Sequence, residues 1–235
     1  LVLIINQQTF YTDTSPELRP LLPETPLRDR CGSEKDLKAL KELFSAFNYE
    51  VIEKNDLTHE EILLQVKAVS KMSLRYDGLI VCLLSHGFEG LFYGSNSVPV
   101  QIKDIKDLMT SRALLNKPKV LLIQACQGPV LQRSISIPLS NLEHDGPVTS
   151  GSTRADFLIF WSTVEGFASV RDTEKGTWFI QEFIEKVSQL HDSQHLLDIC
   201  TAVNNDVSLK RGNKNECMVS KVESTFLKFF RFPSM

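Results

Sequence analysis

Hydrophobic positions along the chain fall into short continuous runs separated by amphipathic stretches. Leu1–Asn6 reads as a buried strand, and Leu79–Leu84 and Val120–Ile123 are apolar throughout, as central parallel strands are. Phe157–Trp161 is a further run of this kind, Glu50–Glu53 is a short strand, and the aromatic segment Phe226–Phe232 reads as a last strand. Between them the period changes to that of a helix. Leu37, Leu40, Leu43, Phe44 and Phe47 give one apolar face to a helix over about Glu34–Phe47, with Ser33 as its cap. Thr58 caps a helix reaching about Lys71, with Glu61 in the capping-box position. Further helices are expected near Ile102–Met109, Thr177–Leu190 and Leu196–Asp206. Strands alternating with helices predict an α/β sandwich with a mostly parallel sheet.

Two segments break the pattern. Residues 7–32 contain four of the ten prolines and read as a long loop. Residues 129–154 contain three prolines, five serines, two threonines and two glycines with no sustained period. Loops of that length inside a compact domain are usually functional or disordered. The segment divides the chain into a front part, 1–128, and a back part, 155–235.

Composition narrows the function classes. The 235 residues are 42% hydrophobic and 23% charged, enough for a sizeable core, and the net charge of −3 comes without a basic stripe, so nucleic acid is not an expected partner. The longest apolar runs fall far short of a membrane span, and nothing reads as a signal peptide. The five cysteines, Cys31, Cys82, Cys126, Cys200 and Cys217, are odd in number and widely spaced. That pattern argues against a disulfide framework or a zinc site and for a reducing compartment. Because Leu1 already lies inside an apolar run, the chain reads as an excised domain. No cofactor or metal is expected, and no glycine-rich phosphate-binding motif follows any strand, which sets aside a nucleotide-binding α/β protein.

Chemistry concentrates at two strand ends. Ser85-His86-Gly87 follows Leu79–Leu84, and Gln124-Ala125-Cys126-Gln127-Gly128 follows Val120–Ile123. Ligand sites of open α/β sheets lie beyond the carboxyl ends of the strands, so the two motifs can be neighbours although forty positions apart (126 − 86). A cysteine attacks as its thiolate and needs an imidazole to take its proton; the same imidazole can later protonate a leaving amine. Gly87 and the backbone N–H of Cys126 could serve a developing oxyanion. A lone cysteine after a strand is more often a core residue, and a lone histidine in a loop is unremarkable. Together at two strand ends, they make catalysis an even alternative.

The segment Gln-Ala-Cys-Gln-Gly matches a caspase signature. The chain resembles the caspase family over nearly its whole length, through Leu-Ile-Ile-Asn (3–6), Arg-Asp-Arg-Cys-Gly (28–32), Leu-Ser-His-Gly (84–87), the stretch 117–128, Ala-Asp-Phe-Leu (155–158), Ser-Val-Arg (169–171) and Gly-Thr-Trp-Phe-Ile-Gln (176–181). It is most similar to the caspase-8 and caspase-10 initiator branch. The resemblance implies a three-layer sandwich with a six-stranded sheet and helices on both faces. It implies Cys126 as nucleophile, His86 as acid–base partner, Gly87 and Cys126 as oxyanion donors, and a carbonyl at Arg28 orienting the histidine. It also implies aspartate before the cut, held by Arg30, Gln124 and Arg171. Two planar, permanently charged guanidiniums suit a buried carboxylate. Ser169 and Val170 belong to the same substrate-binding stretch, and Trp178 narrows a further subsite. Val170 departs from the family's usual aromatic residue.

Further expectations follow from the resemblance. Leu142-Glu143-His144-Asp145-Gly146 is similar to a preferred initiator site, so self-cleavage after Asp145 would separate a large subunit from a small one. The aromatic segment 223–232 is similar to the strand through which caspases pair as homodimers. Protein substrates, adaptors bound through an N-terminal recruitment domain, a cytoplasmic location, and a role in apoptosis or innate immune signalling are implied. A catalytically dead regulator on the same fold is disfavoured because Cys126, His86, Gly87, Arg30, Gln124 and Arg171 are all present.

Overall fold

The computed structural model describes residues 1–128, 154–172, 174–212 and 215–233. Its centre is a six-stranded sheet. The strands are β1 (Val2–Asn6), β2 (Val51–Asn55), β3 (Leu79–Leu84), β7 (Lys119–Gln124), β8 (Phe157–Trp161) and β11 (Lys221–Ser224). Their order is β11-β8-β7-β3-β1-β2, with every pair parallel except β11 against β8.

Side chains alternate across a strand, so each run feeds two cores. Val2, Ile4, Ile80, Leu84, Leu122 and Phe160 face one side, where α1 (Ser33–Ala46), α4 (Trp178–Leu190) and α5 (Leu196–Leu209) contribute Leu40, Phe44, Phe179, Phe183, Ile199 and Val203. Leu3, Ile5, Val81, Leu83, Leu121 and Trp161 face the other, covered by α2 (His59–Met72) and α3 (Ile102–Met109) through Ile62, Val66, Ile105 and Met109. Burial on both faces is why these strands read as unbroken apolar runs rather than as alternating ones.

Local signals set the helix ends. Thr58 accepts from the Glu61 N–H while the Glu61 carboxylate accepts from the Thr58 N–H, the expected reciprocal box at the start of α2. At α1 the cap is Gly32, in left-handed conformation with φ 88°, and Ser33 is the first helical residue, not the cap.

The last strand falls elsewhere than the aromatic run suggested. β11 is Lys221–Ser224, and Phe226–Phe232 is not a strand. The cause lies in its neighbour. Asp156, just ahead of β8, takes φ 56°; the pairing ends at Thr225, whose N–H and carbonyl bond Phe157 and Asp156, and the Leu227 N–H goes to the Asp156 carboxylate instead of to a strand carbonyl. The aromatics instead pack at the sheet's lower end, where Phe232 stacks on Phe47 at 5.3 Å and Phe230 meets Phe232 edge-on at 5.4 Å.

Two small elements border the carboxyl ends of the strands. β4 (Gly87–Phe88), β5 (Leu91–Tyr93) and β6 (Pro99–Gln101) form an antiparallel sheet directly after β3. β9 (Arg171–Asp172) and β10 (Gly176–Thr177) form a hairpin that leads into α4. Neither is evident in the hydrophobic pattern, because two- and three-residue strands are too short to show a period. No helix among the described residues is long and apolar enough to cross a membrane.

Candidate active site

Register brings the two motifs together. In the β3–β7 ladder Leu84 lies opposite Gln124, so His86 and Cys126 each stand two residues past a paired position. The ladder continues one step further through the Ser85 N–H, which donates to the Gln124 carbonyl at 3.1 Å. Gly87 then passes against the cysteine turn. A Cβ on it would fall 2.8 Å from the Cys126 carbonyl oxygen and 2.8 Å from the Ala125 Cβ, closer than real Cβ atoms come. Only glycine fits there.

The histidine is fixed through one nitrogen. His86 Nε2 lies 2.7 Å from the Arg28 carbonyl oxygen. A carbonyl can only accept, so Nε2 carries the hydrogen and Nδ1 keeps its lone pair. Burial pushes the imidazole below its ordinary pKa, the Arg28 hydrogen bond opposes that, and the Arg30 and Arg171 charges add to it. His86 is therefore a neutral base near pH 7. Phe10 packs against its ring at a centroid distance of 4.9 Å, and the Asp29 carboxylate accepts from the Phe10 N–H at 3.0 Å.

The back part of the chain is bound onto the cysteine turn. Gln127 donates its N–H to Phe167 O at 2.9 Å and accepts from the Gly166 N–H at 2.7 Å, and its side-chain amide reaches Thr163 O at 2.5 Å. These bonds deliver Ser169–Arg171 to the cleft. The Ser169 N–H points at Cys126 Sγ, 3.4 Å away, and Gln124 Nε2 donates to Ser169 Oγ at 2.7 Å. Beneath this stretch Met218 Sδ receives the Val170 N–H at 3.3 Å and Ser169 Oγ–H at 3.4 Å.

Arg30, Ser85, His86, Gln124, Ala125, Cys126, Ser169, Arg171 and Thr177 line a single open cavity of about 270 Å³. Arg30 is 2% exposed and donates to Gln7 O at 2.9 Å. Burial, followed by the neighbouring Arg171 charge, lowers its pKa to about 10, so it stays cationic at neutral pH. Among the described residues, Gln124 Oε1 and Arg171 Nε are buried without a hydrogen-bond partner. The Arg171 Nε–H is a donor suited to a carboxylate, whereas Gln124 Oε1 can only accept.

Seven of the sequence-derived candidates therefore meet: Arg30, His86, Gly87, Gln124, Cys126, Ser169 and Arg171, with Arg28 behind the histidine. Val170 and Trp178 lie beside the cavity, half-buried against the core, with the Trp178 N–H facing Val170 O at 3.4 Å. Asp145 lies outside the described residues. Sequence reading missed Phe10, Asp36, Thr177, Gln127 and Met218. Of these, Gln127 carried a signal as a member of the cysteine motif, and Thr177 as a member of the segment 176–181.

The Caspase domain family model matches residues 1–227. The chain belongs to the caspase family. Caspase-8 of Drosophila melanogaster is 39% identical over 99% of this chain and 47% of its own length. Caspase-3 of Oryctolagus cuniculus is 34% identical over 88% of this chain and 72% of its own. Caspase-1 of Spodoptera frugiperda superposes with a TM-score of 0.83 at 25% identity, covering 100% of this chain and 89% of that structure. The chain spans about half the length of the first curated relatives it matches. As in a caspase fold, a mostly parallel six-stranded sheet carries helices on both faces.

Proposed function

We propose that this chain is the catalytic domain of an initiator-type caspase, a cysteine endopeptidase that cuts after aspartate in apoptosis or innate immune signalling. One observation carries the reading: a thiol, a neutral imidazole held by its far nitrogen, and two guanidiniums share one cleft.

The chemistry follows from the atoms. Cys126 gives its proton to His86 Nδ1, and the thiolate attacks the carbonyl carbon after which the chain is cut. The C–S bond forms, and the oxyanion takes hydrogen bonds from the N–H groups of Gly87 and Cys126. As the C–N bond breaks, His86 returns the proton to the leaving amine. Water, deprotonated by the same imidazole, then hydrolyses the thioester. The aspartate side chain enters between Arg30 and Arg171, which offer fixed donor planes to a carboxylate. Gln124 contributes its amide N–H once that amide turns, so that Oε1 accepts the Ser169 hydroxyl proton. Val170 shapes the subsite for the second residue before the cut, and Trp178 that for the fourth.

The same reading extends to activation. The chain pairs with a second copy along the β11 edge, since an uncovered strand edge is a template for pairing. It cuts itself after Asp145, dividing 1–128 from 155–235. Adaptors recruit the full protein through a domain outside this sequence, and the setting is the cytoplasm.

Turnover of a Leu-Glu-His-Asp reporter by the wild type and by Cys126→Ala tests the core of the reading. A rate at least a thousandfold lower in the variant is expected, on the order of what loss of a nucleophile costs. Equal rates would sink it.

A further inference from the structure

Asp36 lies on α1, one turn past the loop that carries Arg30. It is 2% exposed, and no motif pointed to it. Its Oδ1 accepts the Thr177 N–H at 2.9 Å. Thr177 is the register partner of Arg171 in the β9–β10 hairpin. Asp36 thus ties the element that bears one pocket arginine to the element that bears the other.

The backbone is built around this carboxylate. Gly176 takes φ 102°, a conformation L side chains rarely adopt, and a Cβ on it would collide with Asp36 Oδ1. The other oxygen, Oδ2, is buried and has no hydrogen-bond partner among the described residues. An unpartnered buried carboxylate oxygen is costly unless positive charge is close. Burial raises the pKa of Asp36, and the Thr177 hydrogen bond, then the Arg30 and Arg171 charges acting from beyond ion-pair contact, hold that rise down. The effect is mutual at Arg30, where the Asp36 carboxylate offsets part of the repulsion from Arg171.

The arithmetic of the site is then simple. Two guanidiniums give +2, Asp36 brings the cluster to +1, and His86 is neutral. An aspartate side chain carries −1. We propose that Asp36 is the buried counter-ion of the Arg30–Arg171 pair and sets the charge of the pocket to match a single carboxylate. This rests on the pocket's proposed role in binding aspartate. Asp36 does not line the cavity, so it acts as a positioning and charge-setting residue through the arginines and not as a contact to substrate.

Asp36→Asn tests it. Asparagine is nearly isosteric and can still accept the Thr177 N–H, so the clamp survives while the charge is lost. Leu-Glu-His-Asp and Leu-Glu-His-phosphoserine reporters are compared on each enzyme near pH 7.4, where the phosphate carries close to two negative charges. The ratio of the two kcat/KM values is independent of how much enzyme is folded or paired. Wild type favours aspartate. With the pocket at +2 the ratio shifts toward phosphoserine by about tenfold, the scale of one unit charge in a partly buried polar site. Asp36→Glu, which keeps the charge, returns it to the wild-type value.

An unchanged ratio in Asp36→Asn overturns the proposal, as does loss of turnover on both reporters in a variant that unfolds at the wild-type temperature. A shift toward phosphoserine in Asp36→Glu overturns it as well. If Asp36→Asn does not fold, Asp36→Ser takes its place as the uncharged variant. Wild type that fails to cut after aspartate counts against the proposed function, not against Asp36.

Discussion

Gly128 and Gly166 lie backbone against backbone: a methyl on Gly128 would fall inside the Gly166 peptide. This contact sits next to the Gln127 bonds that hold the back part of the chain on the cysteine turn. Gly128→Ala must push the two loops apart. The expected cost is about 1–3 kcal/mol of stability from overpacking. Activity should fall much more than stability, on the order of a hundredfold, because small misplacements of a reacting group are that expensive. Thermal denaturation alongside kcat/KM measures both, and an active, normally stable Gly128→Ala would show the contact to be slack.

The histidine makes a pH prediction. His86 acts as a base only when neutral, so kcat/KM falls as acid protonates it. Burial lowers its pKa, which puts the acid limb below the ordinary value of 6.5. Phe10 covers one side of the ring. Phe10→Ala admits water, weakens that burial and should move the acid limb to higher pH. A pH–rate profile with the limb unmoved, or moved to lower pH, would remove Phe10 from the argument.

Charge recognition predicts how the pocket fails. Arg30→Lys keeps a positive charge but loses the planar fork, and it leaves Gln7 O short of a donor. A hydrogen bond to a charged group is worth about 1.5–3 kcal/mol, so kcat/KM on aspartate reporters should fall on the order of tenfold to a hundredfold. Arg171→Lys should do the same. Near wild-type turnover in either variant would show that the guanidiniums do not grip the substrate.

Self-cleavage is tested on the chain itself. Wild-type protein of 26.6 kDa should convert to two fragments, and Asp145→Ala should stay whole. Two fragments from Asp145→Ala, parted within 129–154, would exclude this position as the cut.

The capping box makes a prediction away from the cleft. Thr58→Ala removes the side-chain acceptor for the Glu61 N–H and should cost about 1 kcal/mol, seen as a lower Tm with kcat/KM unchanged.

The central strands were legible because parallel strands buried on both faces leave long apolar runs, and Leu79–Leu84 and Phe157–Trp161 match the structure residue for residue. The helix at Ile102–Met109 does so as well. The cysteine, its histidine and the two arginines were legible through motifs. Phe226–Phe232 was misread because aromatic density signals burial without saying against what; the turn at Asp156 decided that. Asp36 was invisible for a related reason. An acidic residue in the first turn of a helix is ordinary, and only the fold brings Thr177, 141 positions away, to its carboxylate. Long-range polar partners leave no local trace.

The floor of the sheet has a practical consequence. Leu1 and Pro233 border the same cavity at the amino ends of the strands, together with Gly78 and Pro118. The cleft opens at the carboxyl ends, past Leu84 and Gln124. A tether attached at Leu1 or at Pro233 therefore starts from the far side of the sheet. The domain can be anchored to a solid support by either end with its cleft still facing the solution.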